Sequence, residues 1–120
     1  MLALGACSDA ADRQGDLDHV NARRISNGEP DRGRELVAAA GCGACHAIPG
    51  VPGAAGIVGP PLAAFARRTF IAGVLPNEPA TLVAWVRNAP SFVPATAMPQ
   101  LPISDQDAAH IAAYLYTLQK

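Results

Sequence analysis

The sequence predicts an all-α fold of small helices, on three observations. Apolar residues recur at helical spacing towards the C-terminus, no run alternates apolar and polar residues long enough for a confident strand, and Gly and Pro crowd the middle of the chain. Half of the 120 residues are hydrophobic, yet Ala alone accounts for 25, and Gly and Pro add 11 each. A chain of this size makes one small domain with little stability to spare. Something besides side chains is therefore expected to complete the core.

Met1 to Cys7 read as a signal-peptide remnant, with an apolar part shorter than the ~7 to 15 residues of an ordinary secretory signal. Leu4-Gly5-Ala6-Cys7 resembles the lipobox of bacterial lipoproteins, which implies a lipidated Cys7 holding the domain at a membrane surface on the periplasmic side. The alternatives are a free thiol in a disordered tail and a cloning remnant. Residues 8–28 are rich in Asp and Arg, with Leu17, Val20 and Ile25 as their only large apolar residues, and read as a flexible polar linker containing a solvated His19.

The folded domain is expected over residues 29–120. Pro30, early acids and then Leu36 to Ala40 predict a first helix over about 30–41, stopped by Gly41. The breakers from Ala47 to Pro61 permit only loop. A short helix is expected over 62–68 and a second full helix over about 78–88, with Leu82, Val83, Trp85 and Val86 as its apolar stripe. The last helix starts at a capping-box-like Ser104 and Asp107, and its stripe of Ala108, Ile111, Ala112, Leu115 and Leu118 runs to the chain end.

Cys42-Gly43-Ala44-Cys45-His46 is the C-x-x-C-H sequence of c-type haem attachment. Two Cys three apart on one helical turn point their sulfurs the same way and can form thioethers with two vinyl groups on one porphyrin edge. His46 then lies under the ring as proximal iron ligand, and small Gly43 and Ala44 let the backbone approach. A zinc site would need more ligands than Cys7, His19 and His110 supply at suitable spacing, and a thioredoxin-like dithiol expects a preceding strand and a βαβ pattern. Met98, in an uncharged loop braced by Pro94 and Pro99, is the candidate second ligand, against the ordinary role of Met as core filler. His110, beside Ile111, reads as a helix-surface or helix-packing residue.

In order as well as in motif, residues 29–120 resemble class I cytochrome c: Gly33 and Leu36 in the first helix, Cys42 to His46, Gly59-Pro60-Pro61-Leu62, Pro94 to Met98, and Ala113-Tyr114-Leu115 in the last helix. The resemblance implies small helices wrapped around one covalent haem c, with Gly33 crossing the Ile111 to Tyr114 face. It implies that the Pro60 carbonyl accepts the Nδ1 hydrogen of His46, that Thr96 contacts a haem propionate and that Trp85 lies near the Met98 ligand. More narrowly, Arg67 to Asn77, Leu82 to Val86 and Met98-Pro99 are similar to the cytochrome c domain fused to subunit II of some haem-copper oxidases. No copper-binding cupredoxin domain accompanies them here, which implies a stand-alone or lipid-anchored carrier. Arg67 and Arg68 are either a solvated pair or, through one of them, with Arg68 favoured, a propionate contact.

Nine Lys and Arg against ten Asp and Glu give a net charge of −1, which excludes the basic footprint of a nucleic-acid binder. No apolar run approaches the ~18 residues of a membrane span. With His46 and Met98 both on iron, no position is open for a small-molecule substrate, so the expected function is single-electron transport between redox proteins, to or within a respiratory haem-copper oxidase chain. The alternatives are an electron-transfer subunit of a periplasmic dehydrogenase, and a haem enzyme or sensor whose iron is open.

Overall fold

Ser104 opens the helix on which the rest of the molecule is assembled. In the computed structural model, which describes residues 4–120, its side chain accepts the Asp107 N–H at 3.0 Å and starts a helix over Asp105–Thr117. This helix (α4) buries Ala108 and every residue from Ile111 to Tyr116, and each of the other three helices packs on it. They are α1 (Leu4–Ser26), α2 (Pro30–Ala39) and α3 (Pro79–Arg87). Residues 1–3, where the expected signal remnant begins, lie outside the described residues, as does the side chain of Cys7.

Helix α2 begins with Pro30 in its first turn, where the missing N–H costs nothing, and turns Pro30, Gly33 and Val37 inward. Gly33 sets the depth of the α2–α4 crossing: a Cβ there would collide with the His110 carbonyl and lie 2.9 Å from Tyr114 Cβ. Gly41, at φ +76°, then reverses the chain. Helix α3 buries Leu82, Trp85 and Val86. The all-α expectation holds for the whole, and the cytochrome-like crossing of first and last domain helices lies where Gly33 implied it.

Four local expectations are corrected. Residues 8–28 are not a flexible linker, because α1 continues to Ser26. Its contact with α4 is made by small residues, Ala22 and Ser26 buried and Gly28 pressed on the Ala109 backbone, so no apolar stripe announces it. Leu17, Val20 and Ile25 face outward instead, while the His19 side chain remains in solvent as expected, its ring 3.5 Å from the exposed Asp31 carboxylate. The short helix of 62–68 shrinks to a 3₁₀ turn over Phe65–Arg67, because Ala64 stands at φ +56° and cannot propagate a right-handed helix.

A two-stranded ribbon pairs β1 (Phe70–Ile71) with β2 (Leu75–Pro76) in antiparallel register, Phe70 opposite Pro76. Ala72 and Gly73, both at positive φ, close it as a tight reversal, and two-residue strands are too short to register as alternation. Finally, α4 stops at Thr117 rather than running to the end. The carbonyls of Leu118 and Lys120 accept the N–H groups of Ala66 and Ala64 at 3.0 and 2.7 Å and stitch the C-terminus to the Phe65 turn. Among the described residues no helix is long and apolar enough to cross a membrane.

Candidate functional site

Beyond Gly41 the chain tightens into a 3₁₀ turn over Cys42–Ala44, and the Cys42 carbonyl accepts both Cys45 N–H at 3.2 Å and His46 N–H at 3.0 Å. The two thiols on this turn are unpaired, Cys42 half-buried and Cys45 exposed. Burial pushes the Cys42 thiol up, partly offset by a backbone hydrogen bond, and the neighbouring Cys45 adds to the rise. A dithiol poised for disulfide exchange needs the opposite shift. No strand leads into the turn. Among the described residues no group of three His, Cys, Asp or Glu side chains gathers as a metal-ion ligand set.

Loop 54–60 folds back over the turn. Gly56 N–H donates to the Gly43 carbonyl at 3.0 Å and Gly59 N–H to the Cys45 carbonyl at 2.7 Å. The approach needs glycine at three points: a Cβ on Gly43 would lie 2.7 Å from Ala54, one on Gly56 would run into the Ala44–Cys45 backbone, and one on Gly59 into the His46 imidazole. The imidazole is thus held on one side by bare backbone. Its Nδ1 lies 2.7 Å from the Pro60 carbonyl, and since a carbonyl only accepts, Nδ1 carries the hydrogen, so that in the neutral ring the lone pair lies on Nε2.

The second half of the site is the loop after α3. Thr96 N–H donates to the Val93 carbonyl at 3.0 Å, and Met98 N–H donates to Thr96 Oγ1 at 3.2 Å, which leaves the threonine hydroxyl its own hydrogen to give. Trp85 is buried on α3 with Phe92 tilted against it, ring centroids 6.3 Å apart. Arg68 donates to the Pro61 carbonyl, beside the residue that holds His46, and its guanidinium lies 5.6 Å from the Phe65 ring centre. Arg67 is exposed. The expected site residues thus form two groups, His46 with Pro60 and Arg68 on one loop system and Thr96 with Met98 on the other.

A flat apolar group suits this arrangement. Cys42, Leu62, Val93, Met98, Leu101 and Ile103 pack against the core yet remain only half-buried, so apolar surface is left for a non-protein partner to cover. The chemistry of the donors agrees: two unpaired thiols on one turn, an imidazole with a free Nε2, and a thioether.

Other residues that shape the site were not legible as such. Tyr114 donates its hydroxyl to the Pro49 carbonyl and ties α4 to the loop that follows His46. Asn77 donates through Nδ2 to the carbonyls of Phe65 and Arg68 at 3.2 and 3.0 Å and accepts the Tyr116 hydroxyl at 3.0 Å. In the sequence Asn77 stands at the end of the Arg67 to Asn77 stretch of the resemblance, with no role of its own, and a tyrosine on an apolar stripe does not announce which carbonyl or amide its hydroxyl will reach.

The family model described as Cytochrome c matches residues 30–119. The cytochrome c oxidase subunit 2 of Alkalihalophilus pseudofirmus is 36% identical over 90 residues, which are 74% of this chain and 25% of that protein. The chain therefore spans about a quarter of that relative's length. No solved structure matches. Helical architecture, C-x-x-C-H turn and family match agree, and the chain belongs to the cytochrome c family of electron carriers built on covalently bound haem c.

Proposed function

We propose that the chain delivers single electrons to a haem-copper oxidase at the periplasmic face of a membrane. The observation that carries the reading is the His46–Pro60 contact of 2.7 Å on a turn bearing two unpaired cysteines. On this reading Cys42 and Cys45 would form the thioethers, and His46 Nε2 and the Met98 sulfur would be the protein ligands of the iron. Thr96 and Arg68 would serve the propionates, with Trp85 beside Met98. The haem, when bound, exchanges one electron, and methionine ligation raises its potential.

The rest is the work of the chain's own residues. Pro60 fixes the tautomer and plane of His46, and the Gly56 and Gly59 hydrogen bonds lock that loop on the turn, so the ligand moves little when the charge changes. Thr96 restrains the Met98 backbone in the same way. The uncharged stretches 36–66 and 88–104 keep ionic groups and their water away from the site. With both ligands supplied by the chain, no coordination position remains for a small-molecule substrate, which favours a carrier over an enzyme or sensor.

The likeness to a cytochrome c oxidase subunit 2 supports the oxidase as acceptor. A lipid on Cys7 would hold the carrier at the membrane, with the helical segment from there to Ser26 acting as a spacer of roughly 30 Å. The test is direct. Reduced holoprotein mixed with a purified haem-copper oxidase in air is expected to be reoxidised with matching oxygen uptake. Failure with an active oxidase, alongside rapid reduction by a periplasmic dehydrogenase, overturns the oxidase assignment and makes the chain a dehydrogenase subunit.

A further inference from the structure

The last residue of α3 holds the neck of the Met98 loop. Arg87 Nε donates to the Ile103 carbonyl at 3.1 Å, and its Nη1 sits 2.5 Å from Asp105 Oδ1. Its backbone carbonyl accepts the Leu101 N–H at 2.9 Å, and the next residue, Asn88, pairs with Gln100 in an isolated antiparallel bridge. The loop that leaves α3 at Asn88 and carries Met98 is thus fastened on its return, from Gln100 to Asp105, mainly to one residue.

The electrostatics reinforce this. Arg87 lies at the C-terminal end of α3, where a cation faces unpaired carbonyls, and Asp105 is the first residue of α4, where a carboxylate faces unpaired N–H groups. The ion pair joins two helix ends of opposite partial charge. Its side chains are 42% and 81% exposed, so the pair adds little to global stability. Its consequence is local: the chain between Met98 and Ile103 is five peptide bonds long, and freedom at its far end passes directly to the sulfur.

We propose that Arg87 is a positioning residue for Met98, and that its clamp on Ile103 and Asp105 sets how readily the sulfur leaves the iron. The inference rests on Met98 being an axial ligand. An exogenous base competes with the sulfur for one coordination position, so its apparent affinity reports the fraction of molecules in which the sulfur is away.

Imidazole titration of the ferric holoprotein reads this through the near-red band of Met-ligated haem. Arg87→Gln is expected to keep that band without imidazole and to bind imidazole about fivefold more tightly than wild type, the scale of one ordinary hydrogen bond lost at a solvent-exposed contact. Arg87→Lys should recover part of the difference. Asp105→Asn, which spares the Ile103 contact, should give a smaller increase and serves if Arg87→Gln does not fold. Wild-type imidazole affinity in both Arg87→Gln and Asp105→Asn overturns the proposal. So does an equal increase in Ala22→Gly, a destabilising change at a buried position on α1 away from the site, since the effect would then be general loosening. Failure of the ligand reading looks different: the near-red band would be missing from the wild type, or Met98→Ala would bind imidazole no more tightly than wild type.

Discussion

Tyr116 is buried on α4 with its hydroxyl donated to Asn77, and burial first, then the nearby Glu78 carboxylate, push its pKa up to about 12. An unfolded tyrosine ionises near pH 10, so between about 10 and 12 the unfolded chain has released a proton that the folded chain still holds. The stabilisation is complete below pH 10 and is lost as pH rises through the folded value. We expect the free energy of unfolding, from denaturant titrations followed by far-UV circular dichroism, to fall across that window by on the order of 2 kcal/mol on this account. Tyr116→Phe should flatten the fall, and an unchanged slope would remove Tyr116 as its source. At the site itself, Met98→Ala should keep covalent haem but lose the near-red band, lower the reduction potential and open the iron to added ligands. Potentiometry with the same spectra checks it, and an unchanged band and potential would end the assignment of Met98 as ligand.

At the scale of elements, the α2–α4 crossing concentrates the packing. Gly33→Ala forces a methyl into the His110 carbonyl and against Tyr114 Cβ, with backbone on one side and no room to yield. Overpacking of this kind costs roughly 3 kcal/mol or more, well above the small gain in helix propensity. The denaturation midpoint should drop with little change in slope, and a midpoint at or above that of wild type would show that the helices can separate freely. The stripe at helical spacing made the last helix legible, but its crossing with Gly33 was expected only through the resemblance to class I cytochrome c. The C-x-x-C-H turn was legible in itself, since a covalent attachment fixes residue types at fixed spacing. By contrast, α1 buries Ala22 and Ser26, and Gly28 beyond its end lies on the Ala109 backbone, residues whose small size is the contact and which leave no hydropathy signal. The ribbon at Phe70–Pro76 rests on two backbone reversals, Ala72 and Gly73, and only Gly73 advertises itself in the sequence. Partners such as Asn77 with Tyr116 are distant in sequence, so only the fold decides them.

For the whole molecule, charge is distributed unevenly along the chain. Residues 36–120 contain only Arg67, Arg68, Arg87 and Lys120 against Glu78, Asp105 and Asp107, and one of these cations, Arg87, is already paired with Asp105. The loops that frame the candidate site are uncharged and expose apolar groups: Ile57 is 94% and Val58 70% exposed on the loop tied to Gly43 and Cys45, and Phe92 is 41% exposed ahead of Met98. Such a face offers a redox partner desolvation rather than an attractive field, and long-range steering needs clustered charge of one sign. A tether that confines the domain near its partner would offset the slow unsteered encounter by raising effective concentration. Electron transfer to the purified partner, followed by stopped flow, is therefore expected to change little between low and high ionic strength, while Ile57→Ser with Val58→Ser slows it at both. Screening acts over about 10 Å at 0.1 M salt, so a charge-steered encounter would slow steeply across the same range. A steep fall with the serine variant unaffected would place docking on another face, one that presents charge.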